Sequence, residues 1–430
     1  MINKLISGKP VTKFTDGFFR IFEIVLRIFT ILIKLIKKAV GMFFSANIDR
    51  VLSKLGKKLV TRQTTVKPNS IVLTTVQGEY TCNPKYIAEE ILRRKLPYDV
   101  TWVLRGSALG PFPTEFNLVR DASPDYYRAI AAAKVVVQNG HAIQKNDVKK
   151  NKGQHWIQTW HGSLGLKRLE GAGGDNRFYA KMQMLDNRDT DYIISNSEFE
   201  DNVYRGSYWT KTPIKRLGHA RTDILFDRSK ETADYLRKKV LKRLDIEDRG
   251  QKFLLFAPTH DDKNPYQAFG NLDLDKMQKV LSKKFGGDWE ILIRTHNNNK
   301  RKSSQWLAGL PIYCHNASFY PDMQELQIVA DIGLTDYSSW ICDYIHTRKP
   351  SFLFGPNIKK YEKKRGFYHK FSNTPFSIAT NNKELLENIK NFDNTLYNKK
   401  IDSFLEDCVS VDDGKSAARA VDLIEELMKT

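Results

Sequence analysis

The chain lacks several features that mark common protein classes. Its four cysteines lie far apart and form no C-x-x-C pair, which argues against a disulfide framework and a zinc motif and favours a reducing compartment. The glycine patterns of dinucleotide-binding folds and of P-loops are both missing. Charges interrupt the apolar segment 18–44, and its uncharged run 28–33 is far shorter than the roughly 20 residues that span a bilayer.

Acidic residues are scarce relative to basic ones. The 430-residue chain has a net charge of +20, and residues 1–70 alone hold 14 Lys or Arg against three acids. A basic protein can bind nucleic acid, a membrane surface or an anionic polymer. Because the excess accompanies an apolar segment, and because no aromatic-basic RNA motif occurs, we expect no nucleic-acid binding.

Residues 18–44 are rich in Ile, Leu and Phe and carry six charges. At about 100° per residue these charges occupy an arc of roughly 100° on a helical wheel. The pattern predicts a helix that lies in the membrane interface, so that residues 1–69 form a basic, amphipathic segment that binds anionic lipids. The alternative is a helix packed on the protein's own core or on a partner subunit.

In the region 70–245, the sequence pattern predicts strands that alternate with helices. Strand-like runs at 71–76, 100–104, 134–138, 156–160 and 192–195 are separated by helical stretches, including 84–94, 124–133 and 197–204. Such alternation indicates a parallel sheet covered on both faces, with ligands beyond the carboxyl ends of its strands.

A histidine follows one of these predicted strands. His161 comes directly after an apolar run, Gly162 follows it, and Lys167 and Arg168 are close behind. Histidine is the usual general base near neutral pH, and the glycine permits close approach of a substrate or another backbone. A histidine with a purely structural role is the alternative.

The alternation restarts after a polar link at 245–251 and continues through residues 250–400, with a helical segment predicted at 401–430. Strand-like runs at 253–257, 290–293, 331–334 and 351–354 alternate with helices at 275–284, 322–329 and 339–346. Two doubly wound Rossmann-type halves that face a cleft define a GT-B-like α/β fold, which transferases share with some epimerases and phosphorylases.

Ser338 and Ser339 lie where a predicted strand turns into a helix. Free backbone N–H groups, hydroxyl donors and the helix dipole favour an anion there, and we expect a phosphate. A simple helix cap is the alternative. Asp336, just before the serines, is expected to orient the turn.

Further anion-handling residues follow other predicted strands. Arg294 and His296 are two positions apart on an extended segment and point to the same side, where a guanidinium and an imidazole suit a phosphate. Arg365 stands beside a flexible glycine, and Thr259 follows the strand at 253–257. Two D-x-D pairs, 273–275 and 189–191, resemble metal motifs, but such spacing arises by chance and the first is expected to start a helix. The sequence requires no metal or other cofactor.

The ordered motifs resemble those of the CDP-glycerol glycerophosphotransferase family, the teichoic acid primases and polymerases. The resemblance covers most of residues 70–395. It rests on Trp160-His161-Gly162 with Lys167, Asn196-Ser197-Glu198-Phe199, Gly218 with Arg221 and Asp223, Ala257-Pro258-Thr259 with Asp262, Arg294 with His296, Thr335-Asp336-Tyr337-Ser338-Ser339 with Asp343, Lys349-Pro350, and Arg365-Gly366-Phe367-Tyr368.

The resemblance implies a GT-B fold and an enzyme bound peripherally to the cytoplasmic side of a bacterial plasma membrane. It implies transfer of a polyol phosphate from CDP-glycerol, or another CDP-polyol, to a hydroxyl of a lipid-linked or polymeric acceptor, with release of CMP. His161 would be the base, while His296, Arg294 and the two serines would handle the donor phosphates. Lys167 and Arg168 would lie on the acceptor side.

Two other functions stay open at this point. One is a GT-B glycosyltransferase that uses a nucleotide sugar for a cell-surface polysaccharide, and the other is a non-enzymatic membrane adaptor. The polymer could be a teichoic acid or a capsular polymer, and the chain could form a homo-oligomer.

Overall fold

The structure is a computed structural model that describes residues 64–106, 111–146, 148–165, 167–169, 177–207, 209–259, 272–296, 307–364 and 366–430. The helix predicted at 18–44 and the side chain of Arg365 therefore lie outside the described residues, and both stay predictions. Among the described residues, no helix is both long enough and apolar enough to cross a membrane.

Seven parallel strands form the first sheet, in the spatial order β3-β2-β1-β4-β5-β6-β7. The strands are β1 (Ser70–Thr74), β2 (Asp99–Leu104), β3 (Asn117–Arg120), β4 (Val135–Gln138), β5 (His155–Gln158), β6 (Tyr192–Ser195) and β7 (Ile214–Arg216). The central strands β1 and β4 are buried along their whole length. Strands covered on both faces read as continuous apolar runs, which is why the sequence predicted them.

Helices and one 3-10 turn connect these strands. They are α1 (Cys82–Arg93), α2 (Pro124–Ala132), α3 (Ala142–Lys145), α4 (Arg177–Asp189), α5 (Glu198–Gly206), the 3-10 segment Ala220–Phe226, and α6 (Lys230–Leu244). Serine side chains cap three of them: Ser123 accepts from the N–H of Tyr126 and Ser197 from that of Glu200, both at 3.1 Å, and Ser229 accepts from that of Thr232 at 3.3 Å. Such caps satisfy backbone donors that the first helical turn leaves free.

Six parallel strands form the second sheet, in the order β10-β9-β8-β11-β12-β13. The strands are β8 (Lys252–Phe256), β9 (Trp289–Ile293), β10 (Cys314–Asn316), β11 (Ile332–Thr335), β12 (Ser351–Phe354) and β13 (Ser377–Ala379). The remaining elements are α7 (Leu274–Phe285), α8 (Met323–Val329), α9 (Trp340–Tyr344), α10 (Ile358–Lys364), α11 (Asn382–Lys390), α12 (Asn394–Asp407), α13 (Ser416–Met428), and two 3-10 turns (Ile345–Thr347 and Phe371–Asn373). This arrangement confirms the predicted α/β fold with parallel sheets.

The four strands that the sequence did not predict, β3, β7, β10 and β13, are the edge strands of the two sheets. Each has three or four residues, and most of those residues are exposed or half-buried. An edge strand borders solvent, so its sequence carries no long apolar run to reveal it.

Two helices cross between the halves of the fold. Helix α6 precedes the polar link, yet its Val240 and Leu241 pack with Phe253 and Leu255 of the second sheet. Helix α13, at the end of the chain, returns to the first sheet and packs its buried residues there: Ala420, Val421, Leu423, Ile424 and Leu427. Because each half buries a helix from the other, the chain crosses between the halves more than once.

A buried ionic network also joins the halves. Lys85 on α1 lies 2.5 Å from an oxygen of Asp322 and 2.7 Å from one of Glu325, at the start of α8. Lys239 on α6 and the hydroxyl of Tyr320 also donate to Glu325. Lys85, Asp322 and Glu325 are each about 3% exposed or less, and burial of charges is tolerated when they are paired in this way.

Candidate active site

The loop that carries His161 starts at the end of β5 and is fixed by side chains from elsewhere. Trp160 has a φ of +49°, a left-handed conformation that non-glycine residues rarely adopt. Asn83 on α1 donates to the carbonyls of Thr159 (3.0 Å) and Trp160 (3.2 Å). The amide of Asn83 therefore supports the backbone turn that directs His161 away from the sheet.

The imidazole of His161 has a defined tautomer. Its Nδ1 lies 2.6 Å from the carbonyl oxygen of Asn139, at the end of the neighbouring strand β4. A carbonyl can only accept, so Nδ1 carries the proton and Nε2 keeps its lone pair. This is the arrangement in which a histidine can act as a general base through Nε2.

The charge state of His161 also suits a base. The residue is exposed as a whole, and one side of its ring lies against Trp160, at 4.3 Å between centroids and a tilt of 35°. Desolvation of the ring, together with the positive charges of Arg221 and Lys167 and the nearby His141, lowers the pKa of His161 to about 4, against the opposing effect of the Asn139 carbonyl. The imidazole is therefore neutral at pH 7.

The rest of the loop reaches the second half of the fold. Lys167 donates from Nζ to the hydroxyl of Thr259 at 3.2 Å and forms an isolated antiparallel bridge with Phe367. The N–H of Arg168 donates to the carbonyl of Gly366 at 3.3 Å. Lys167 was assigned to the acceptor side and Thr259 to the donor side, and the structure brings the two side chains into direct contact.

The serine junction follows β11. Asp336 accepts from the N–H of Thr259 at 2.8 Å and from that of Tyr337 at 2.5 Å, so it joins the ends of β8 and β11 and orients the turn. Ser338 and Ser339 are half-buried. Ser339 occupies the cap position of α9 but makes no side-chain cap hydrogen bond. Helix α9 is only five residues long, so the dipole contribution that we expected from the sequence is small.

Arg294 follows β9 and is anchored by its backbone N–H, which donates to the carbonyl of Phe256 at 2.9 Å. Its Nη2 donates to the carbonyl of Pro321 at 3.2 Å, while its buried Nη1 has no hydrogen-bond partner among the residues that the structure describes. A buried guanidinium N–H without a partner is suited to an anionic ligand. His296 is exposed, at the end of the described stretch.

The strand order shows how these donors are arranged along the edge of the second sheet. Arg294 and the serines do not follow adjacent strands, because β8 lies between β9 and β11. Thr259, at the end of β8, is therefore the middle position of the three. Because the strands are parallel, Arg294, Thr259 and the serine junction all follow carboxyl ends at one edge of the sheet.

Sequence reasoning missed the residues that hold the His161 loop. Asn83 was not a candidate. Asn139 was marked only as part of Asn139-Gly140-His141, which follows the apolar run 135–137 as a strand end similar to that of His161 but weaker. Arg221 and Asp343 appeared only within family motifs, yet they are buried and joined by two hydrogen bonds, Nε to Oδ2 at 2.8 Å and Nη2 to Oδ1 at 3.1 Å. Their family spacing was the one signal that could have found them.

The D-x-D pairs have other partners. Asp273 caps α7 by accepting from the N–H of Lys276 at 3.1 Å, as the sequence predicted. Asp189 pairs with Arg188, and Asp191 pairs with Lys150. Within the described part of the chain, no group of three or more His, Cys, Asp or Glu residues could hold a metal ion.

Two parallel Rossmann-type sheets, with a neutral histidine loop on one and anion donors at the strand ends of the other, define a GT-B-like transferase scaffold. The sequence matches the family described as CDP-glycerol:poly(glycerophosphate) glycerophosphotransferase over residues 57–426. The chain belongs to this family.

Relatives with assigned names agree with this placement. The chain is 31% identical over 389 residues to a teichoic acid poly(glycerol phosphate) polymerase of Staphylococcus epidermidis, covering 86% of this chain and 52% of the relative. It is 25% identical to the polymerase of the same name from Bacillus subtilis, covering 90% of this chain and 55% of the relative. The chain thus spans about half the length of these two relatives.

Solved structures agree as well. The wall teichoic acid polymerase TagF superposes with a TM-score of 0.74 at 29% identity, covering 90% of this chain and 96% of that one. A TagF variant soaked with CDPG also gives a TM-score of 0.74, at 28% identity, and covers 98% of this chain and 99% of that one. The likeness therefore extends over both sheets.

Proposed function

We propose that the protein transfers glycerol phosphate, or a related polyol phosphate, from CDP-glycerol to a hydroxyl of a membrane-linked acceptor in the synthesis of teichoic acid or a similar polymer. CMP is the second product. The observation that carries the proposal is the state of His161: a neutral imidazole with its proton on Nδ1 and a free lone pair on Nε2.

The chemistry needs one base and several anion donors. The acceptor hydroxyl gives its proton to Nε2 of His161 as its oxygen attacks the phosphorus that bears glycerol. The phosphoanhydride bond to the second phosphate breaks, and the electron pair leaves with CMP. Negative charge builds on the pyrophosphate oxygens during this step, and donors already in position stabilise it.

Arg294, Ser338 and Ser339 are the proposed donors, with His296 and Arg365 completing the set. Support comes from the unpartnered Nη1 of Arg294 and from the Ser339 hydroxyl, which α9 does not use as a cap. Asp336 holds the turn between Thr259 and the serines. Lys167 and Arg168, on the His161 loop, approach the same strand ends from the acceptor side.

A donor screen tests the proposal. Purified protein is incubated with CDP-glycerol, CDP-ribitol and UDP-sugars, together with a lipid-linked or polymeric acceptor, and the released nucleotide is measured. We expect CMP release with a CDP-polyol and none of UDP. His161→Gln should reduce the rate by about 10²–10⁴-fold, which is the contribution of a positioned general base. Release of UDP instead would establish the glycosyltransferase alternative, and no turnover of any donor would support the adaptor.

We further propose that residues 18–44 hold the protein peripherally on the anionic, cytoplasmic surface of the membrane. The basic charge and apolar composition of residues 1–70 support this placement. Flotation with anionic vesicles is the test. Deletion of residues 1–45 should abolish flotation, and unchanged binding would overturn the assignment. Light scattering of the full chain would determine whether it forms a homo-oligomer.

A further inference from the structure

Arg221 is the centre of a buried polar cluster that the proposed chemistry does not use. It belongs to the 3-10 segment that follows the first sheet, it is 2% exposed, and its guanidinium pairs with Asp343 on α9. Asp343 is four positions beyond Ser339. The pair therefore joins the half of the fold that carries His161 to the helix that starts at the serines.

The same guanidinium also bonds to the His161 loop. Its Nη2 donates to the carbonyl of Gly162 at 2.7 Å. The backbone N–H of Arg221 donates at 3.1 Å to Oδ1 of Asn83, whose amide in turn donates to the carbonyls of Thr159 and Trp160. The carbonyls on both sides of His161 are thus held by one connected set of buried groups.

We propose that Arg221, Asp343 and Asn83 form a clamp that positions the His161 base against the serine helix across the cleft. The inference rests on the proposed function, in which His161 is the base. These three are positioning residues: each acts through the backbone of the histidine loop or through α9. Small displacements of a reacting group cost large factors in rate, so a clamp of this kind has a measurable kinetic effect.

The clamp predicts opposite changes in the titration of His161. The groups that face this histidine are Arg221, Lys167 and His141, together with the carbonyl of Asn139. Removing the positive charge with Arg221→Met should raise the pKa of His161. Asp343→Asn leaves the arginine uncompensated and should lower it further. The opposite signs follow from the two charges of the pair, so a pair remote from His161 would change the pKa in neither variant.

Arg221→Lys separates position from charge. Lysine keeps the positive charge, but it lacks the planar fork that reaches Gly162 and Asp343 together. We expect the pKa of His161 to stay near the wild-type value while kcat falls about 100-fold. The KM for the donor should change less than threefold.

Two further variants control for folding. Arg221→Met combined with Asp343→Leu replaces the buried pair by apolar side chains, a change that often preserves stability, but it still removes the bond to Gly162. Arg228→Met is the matched control. Arg228 also joins the halves, through the carbonyls of His346 and Thr347. Among the described residues it makes no hydrogen bond to the His161 loop, so we expect wild-type kcat and titration.

The experiment measures CMP release from CDP-glycerol between pH 4.5 and 8. It also follows the Cε1 signal of His161 by NMR from about pH 3 to 8, a range that includes its pKa of about 4, and assigns that signal by its loss in His161→Gln. Circular dichroism selects folded variants, and the Lys and double variants carry the test if Arg221→Met does not fold. The clamp is supported by a slow Arg221→Lys enzyme, a slow double variant and opposite pKa changes. It is overturned if these variants match Arg228→Met in both rate and titration. If wild-type protein releases no CMP, the proposed function fails, and the NMR titration decides the clamp alone.

Discussion

Replacing Lys85 by Met should destabilise the protein strongly. The change leaves Asp322 without its ionic partner, and Glu325 keeps only Lys239 and Tyr320 as donors. Breaking a buried ion pair by removing one partner costs about 3–5 kcal/mol. Residues 64–430 form one compact unit, whose unfolding entropy is about 0.8 kcal/mol/K. A decrease of about 4 kcal/mol in the free energy of unfolding therefore lowers the melting midpoint by about 5 °C.

The effect of this substitution should depend on pH. Burial acts to raise the pKa of Glu325, but Lys85 and Lys239 outweigh it and hold the pKa below its ordinary value. Such a carboxylate stabilises the fold above its unfolded pKa of about 4.3 and loses that contribution as the pH falls. For Lys85, the carboxylates of Asp322 and Glu325 raise the pKa against the effect of burial. The contribution of Lys85 to stability is therefore present below about pH 10.

Differential scanning calorimetry at pH 7.5 and in steps down to about pH 3 is the measurement. The difference between wild-type and Lys85→Met should be about 5 °C at pH 7.5 and should shrink below about pH 4, as the pH falls from the unfolded pKa of Glu325 through its lower folded pKa. Lys239→Met is the matched control, because Lys239 pairs with the same carboxylate but is 38% exposed, and a surface pair contributes about 1 kcal/mol or less. Equal midpoints for the two variants, or a difference that does not shrink in acid, would refute the reasoning.

Three further outcomes are expected. Ser338→Ala and Ser339→Ala should each raise the KM for CDP-glycerol about tenfold, since hydrogen bonds to charged groups contribute about 1.5–3 kcal/mol; unchanged KM values in both would remove the serines from the donor site. Gly366→Ala should lower the rate more than Gly250→Ala, as steady-state assays of both variants would measure. Both glycines have a positive φ, but only at position 366 would the new Cβ contact another side chain, the Cδ of Arg168 at 3.2 Å. EDTA should leave CMP release unchanged, and a loss restored by Mg²⁺ would contradict a reaction without metal.

Much of the fold could be predicted because its central strands are buried on both faces. Val135 to Val137 in β4 and Leu254 to Phe256 in β8 form apolar runs that only a covered strand explains. The edge strands could not be predicted, because solvent on one side removes the requirement for apolar residues. Helix α13 could be expected as a helix, but its packing on the first sheet could not, since an apolar face does not specify its partner.

The candidate site also has residues that the sequence could predict and residues that it could not. His161, Arg294 and Ser338 were each predicted separately, because each is a polar residue that follows an apolar run. In parallel sheets the functional residues lie at the ends of the strands. Nothing in the local sequence indicated that Asn83 would hold the backbone before His161. Its contacts with Thr159 and Trp160 join residues more than 70 positions apart, and only the packing of α1 against the loop creates them.

The sequence by itself determined the alternation of strands and helices, the polar residues at strand ends and the family to which they belong. These depend on local order: the period of apolar residues, and the residue type that follows each strand. The tertiary structure alone decided that Nε2 of His161 carries the lone pair, that Lys167 meets Thr259, and that Arg221 joins Gly162 to Asp343. Each of these is a hydrogen bond between distant segments, and its partner exists only once the sheets have packed together.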